Sequence, residues 1–125
     1  IKFKEKYPRK SMDDIIENTI NRYFKYISEL NKSFHHNLIF QTVPCPNLET
    51  NSVSEDDYKL LNYVIKSLNN HMKLITKELH HKYLDLYSLT DRGDGFSNNK
   101  HHIDAHHLSR QAMTEAWKTK FVDKV

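Results

Sequence analysis

The stretch SEDDYKLLNYVIKSLNNHMKLITKELHHKYLDLY, residues 54–87, decides the fold class. Ser54 is a helix-capping residue type. Glu55, Asp56 and Asp57 follow it, where negative charge complements the positive end of a helix dipole. Tyr58, Leu61, Ile65, Leu68, Met72, Ile75 and Leu79 then recur in alternating steps of three and four, an apolar seam of heptad type. Val64 and Leu74 widen the seam, as expected of a helix lying on a sheet. The period then changes. Tyr83-Leu84-Asp85-Leu86-Tyr87 is short and alternating, and it predicts a strand with Tyr83, Asp85 and Tyr87 on one face. Asp85 there is read as a structural hydrogen-bonding residue at the sheet. A long helix running into a short strand is the repeating unit of an α/β architecture.

The flanks extend the same alternation. Ser11, with Asp14 three residues on, opens a helix over 12–34 whose apolar residues include Ile16, Ile20, Phe24 and Ile27. Leu38-Ile39-Phe40-Gln41-Thr42-Val43 predicts a buried strand, closed by Pro44-Cys45-Pro46. Beyond residue 87 a loop over 88–103 holds both glycines, and Ser109 caps a last helix with Ala112, Met113, Ala116, Trp117 and Phe121 along one face. The expected order is helix, strand, helix, strand, helix in one domain, residues 1–125, with parallel strands. Two strands are too few for an ordinary parallel sheet. Further strands are therefore expected from chain upstream or from another copy, so a homo-oligomer is one expected assembly. The heptad seam reads first as core and second as a coiled-coil interface.

Composition removes several function classes. The chain has 125 residues, 38% of them hydrophobic, which suits a modest core and one domain. No apolar run approaches the roughly 18–20 residues of a membrane span. The first residues lack the apolar centre of a secretion signal, which favours a cytoplasmic chain. A single cysteine, Cys45, excludes an internal disulfide framework, and its place between two prolines reads as a half-buried strand end. Two glycines, Gly93 and Gly95, are too few for phosphate-binding glycine loops. The net charge of +3 comes from scattered Lys and Arg, with no basic stripe for nucleic acid. Eight of nine histidines form adjacent pairs. His35-His36 and His80-His81 close helices, where they complement the dipole.

The segment that carries chemistry is Ile103-Asp104-Ala105-His106-His107-Leu108-Ser109. It follows the second predicted strand and opens the last helix, near the strand ends where open α/β sheets place their sites. At a spacing of three, the Asp104 carboxylate can accept a hydrogen bond from the His107 Nδ1–H, leaving Nε2 as a general base. His101, His102 and His106, with Asp104 and His107, also form a set that imidazole-preferring ions such as zinc, nickel or copper would suit. This metal-binding module is kept as an alternative, and no metal is assigned.

The run Asp104-Ala105-His106-His107-Leu108-Ser109, with the order of elements around it, resembles the last sequence block of the SGNH, or GDSL-type, hydrolases. The resemblance covers roughly residues 12–123. It implies a partial three-layer, flavodoxin-like fold and a serine ester hydrolase acting on acyl or acetyl esters, on a small molecule, carbohydrate or lipid, with no cofactor. It implies His107 as triad base, Asp104 as its orienting acid, and Ser109 as a helix cap. Ala105 and His106 depart from the small residues often found there. The larger departure is the missing Gly-Asp-Ser-type nucleophile block and the glycine and asparagine that complete such an oxyanion hole. The sequence therefore resembles the C-terminal half of such an enzyme, with esterase activity close to nil on its own. The alternative class is a non-catalytic, oligomerising protein.

Overall fold

The computed structural model describes residues 11–47, 54–104 and 107–123. The basic segment 1–10, part of the 44–53 loop, Ala105 and His106 lie outside the described residues. The chain is α/β. In order, it forms helix α1 (Met12–Phe34), strand β1 (Ile39–Gln41), helix α2 (Glu55–Glu78), strand β2 (Lys82–Leu84), short helix α3 (Leu86–Thr90), helix α4 (Arg110–Thr119) and strand β3 (Phe121–Val122). All three serine caps form. Ser11 Oγ accepts from Asp14 N at 3.1 Å, Ser54 Oγ from Asp57 N at 3.2 Å and Ser109 Oγ from Ala112 N at 3.1 Å. Each satisfies one N–H that the first turn of a helix leaves unpaired. His35 closes α1 in the left-handed conformation and His80 follows α2 in the same one, both at φ above +50°.

The sheet is small and mixed, in the order β1-β2-β3. β1 and β2 are parallel, with Phe40 opposite Tyr83, and α2 is the crossover between them. This is the pairing expected from the sequence. β3 departs from the expectation of parallel strands, because it pairs antiparallel to β2, with Leu84 opposite Phe121. Sequence periodicity assigns Phe121 to the last helix, but that helix ends at Thr119 and the chain turns back through Lys120.

The strand expected over residues 83–87 is cut short. The strand ends at Leu84, and Asp85 caps α3 instead of continuing the ladder, its side chain accepting from Ser88 N. Thr42 supplies the tertiary contact that wins. Its hydroxyl accepts from Tyr87 N at 2.9 Å and donates to Asp85 Oδ1 at 3.4 Å. Asp85 Oδ2 accepts from Ser88 Oγ at 2.7 Å and from Lys73 Nζ at 3.1 Å. Five polar groups thus converge on the end of β2, and the backbone turns into α3.

The pleat of β2 divides the core. Tyr83 packs with Ile20, Phe24, Phe40 and Met72 of α1, β1 and α2, while the fully buried Leu84 packs with Leu86, Leu89, Ala112 and Ala116 of α3 and α4. Phe24 and Phe40 pack with tilted rings, their centroids 4.6 Å apart. The heptad seam of α2 faces inward through Ile65, Leu68, Met72 and Ile75, so it serves as core. Leu74, read as widening that seam, is exposed. No helix among the described residues is long and apolar enough to cross a membrane.

Candidate functional site

The segment between α3 and α4 is an ordered succession of turns. Asp91 pairs with Ser97 in an isolated antiparallel bridge, and its Oδ1 accepts from the N–H groups of Gly93 and Gly95, both at 2.8 Å. Gly95 sits at φ +86°, and a Cβ there would run into the Asn62 side-chain amide, so this position requires glycine on two counts. Tyr58 stacks on the buried Phe96 at 3.8 Å between centroids, fixing the loop to α2.

The chain then doubles back on itself. His102 and Leu108 form an antiparallel bridge, Ser109 N donates to His101 O at 2.8 Å, and Ile103 N donates to His107 O at 2.9 Å. Asp104 and His107 flank the tip of this miniature hairpin. Asp104 Oδ1 accepts from His107 N at 2.8 Å, and Oδ2 lies 2.8 Å from His107 Nδ1. A carboxylate only accepts, so Nδ1 carries the proton and the lone pair of the neutral ring is on Nε2. Nε2 has no hydrogen bond among the described residues, and the His107 side chain is 72% exposed. The Asp104–His107 contact expected from spacing is therefore present, with the polarity a general base requires. Asn47, in the loop after β1, donates its Nδ2–H to Asp104 O at 3.2 Å and ties the turn to the carboxyl end of that strand.

The other histidines of the cluster diverge. His102 Nδ1 is 2.8 Å from Ser97 Oγ, and that hydroxyl accepts from Asn99 N at 3.0 Å. The Ser97 hydroxyl thus bridges the Asn99 N–H and the His102 ring. Burial and the neighbouring His101 hold His102 below the ordinary imidazole pKa, which favours its neutral form. His101 turns toward α4, its Nδ1 3.8 Å from Glu115 Oε2. His106 lies outside the described residues. Among the described residues, no three histidine, cysteine or acidic side chains converge as a metal would require.

Cys45 is inert by its setting. It is 1% exposed, its N–H donates to Thr90 Oγ1 at 2.9 Å, and its thiol donates to Tyr87 O. Burial, reinforced by the negative Asp91, pushes the thiol up to about 11, so it is not a nucleophile near neutral pH. Sequence reading missed the Ser97–His102 pair and the Lys73–Asp85 ion pair. Lys73 carried one usable signal, a cation next to Met72 on the inward side of α2.

No family model, no curated protein and no solved structure matches this chain.

Proposed function

We propose that this chain supplies the general base and its orienting acid to an SGNH-type ester hydrolase of partial three-layer, flavodoxin-like fold. The observation that carries the reading is the Asp104–His107 geometry, with Nδ1 2.8 Å from a carboxylate oxygen and Nε2 uncommitted on an exposed side chain. In this reading a serine from outside residues 1–125 attacks the carbonyl of an acyl or acetyl ester. His107 Nε2 takes the serine proton and returns it to the leaving alcohol. Asp104 stabilises the imidazolium formed in between and keeps the ring in the productive tautomer. No metal or other cofactor enters these steps.

The test is labelling with a fluorophosphonate serine probe, read by intact mass, on this chain and on the natural polypeptide that contains it. The chain alone is expected to stay unlabelled. The natural polypeptide is expected to take one adduct that His107→Ala abolishes. Labelling of the natural polypeptide that survives His107→Ala, or no labelling of it when folded, would overturn the reading.

A second, non-catalytic reading is favoured by one surface. Among the described strands β1 pairs only with β2, and Ile39 in that strand and Val43 just after it are exposed. Unpaired strand edges next to apolar surface promote association. Light scattering across a concentration series tests it, with a mass that stays monomeric at every concentration counting against it.

A further inference from the structure

A concave surface is lined by residues of α3, the segment that follows it, and the end of α4. It has a volume of about 590 Å³, within the range of small-molecule sites. Four charged or titratable residues line it: Lys100, His101, Glu115 and Lys120. Its neutral polar residues already have partners. Ser88 Oγ donates to Asp85, Asn98 Nδ2 to Leu89 O and Thr119 Oγ1 to Glu115 O. The Glu115 carboxylate faces His101. The two lysine ammonium groups remain. Neither forms an ion pair or a side-chain hydrogen bond with a described residue. Two lysines against a single carboxylate leave the wall net positive, which raises the local concentration of anions. Compact ammonium heads suit an oxyanion held by charge more than by a directional fork.

We propose that this cavity binds the oxyanion group, a carboxylate or a phosphate monoester, of a small organic acid, with Lys100 and Lys120 as its cationic contacts. The proposal is independent of the ester-hydrolase reading, because neither Asp104 nor His107 lines the cavity. Glu115 sets the sign of a control. It is the negative group in the wall, so removing its charge should strengthen anion binding, whereas removing either lysine should weaken it.

The experiment titrates the folded chain with inorganic phosphate and, separately, with acetate, following amide shifts in two-dimensional NMR at low salt. Saturable shifts at Lys100, His101 and Lys120 are expected. Lys100→Gln and Lys120→Gln should each weaken binding about threefold and together about tenfold, and Glu115→Gln should tighten it about threefold, all fading as salt rises. Tighter phosphate binding identifies a phosphate ester as the source of the group, and tighter acetate binding a carboxylic acid. Shifts that do not saturate, that centre elsewhere, or that persist unchanged in the double lysine variant would overturn the proposal. The amide spectrum of each variant shows directly whether it has kept its fold.

Discussion

Two aspartates in this molecule make the same local bond in opposite surroundings. Asp85 and Asp104 each accept the backbone N–H of the residue three positions on, Ser88 and His107 respectively. Asp85 is buried at the end of β2 and also receives Thr42, Ser88 Oγ and Lys73. Asp104 stands half exposed at a hairpin tip and receives the His107 imidazole. The first collects partners from α2, α3 and the residue that follows β1, and the backbone bends there. The second orients one ring whose far nitrogen faces solvent. One short sequence pattern thus builds a structural junction where the surroundings are dry, and an exposed carboxylate–imidazole pair where they are wet.

The largest expected break in this comparison is Asp85→Ala. It leaves Lys73 and the Thr42 hydroxyl without their acceptor in a mostly buried place, and a loss of about 3 kcal/mol in urea unfolding is expected. Asp104→Ala should lose less than about 1 kcal/mol, because its partners are exposed. Equal losses would mean that the two sites are not different in kind. Gly95→Ala comes next, at about 2 kcal/mol by the same unfolding measurement, since it strains a positive φ and displaces the Asn62 amide.

Acid sharpens the contrast. Burial by itself would raise the Asp85 pKa, but the Ser88 hydroxyl and N–H and the Lys73 charge outweigh it and hold the carboxyl below the usual aspartate value. The unfolded chain then binds this proton more readily than the folded one. Asp85 therefore contributes stability that is present above the ordinary aspartate pKa of about 3.9 and is lost as pH falls through the lower folded value. Thermal unfolding across pH 5 to about 2.5 should show that loss in the native chain and in Asp104→Asn, and a shallower slope in Asp85→Asn. The smallest effect is spectroscopic. Asp104→Asn should leave stability nearly unchanged while raising the population of the other neutral tautomer of His107, read from its imidazole ¹⁵N shifts. A tautomer ratio unmoved by the substitution would mean that the carboxylate does not orient the ring.

What was legible in the sequence follows from how local each determinant is. The three long helices could be read because apolar spacing and a serine cap lie within each segment, at Ser11, Ser54 and Ser109. The Asp104–His107 pair was legible for the same reason, since one turn contains both residues. The α3 turn was not, because Leu84-Asp85-Leu86 alternates like a strand and the deciding contact comes from Thr42. An aspartate three residues before Ser88 was the available cap signal, and strand-like alternation outweighed it. β3 has two residues, too few to carry any period. The divergence of His101 and His102 depends on Glu115 and Ser97, which their own neighbourhood in the sequence does not specify.

The polar junction at the end of β2 also has a kinetic meaning. Thr42 meets Asp85 and Tyr87, and Cys45 meets Thr90, across 43 to 45 residues of chain that include all of α2. Closing that span costs loop entropy that the local helices do not, so these contacts are expected late in the folding reaction. Thr42→Val should accordingly speed unfolding much more than it slows folding in a chevron experiment, with a φ-value near zero. With that outcome the hydrogen bonds that redirect the chain at Asp85 act as a latch, setting how long the native state lasts once it has been reached.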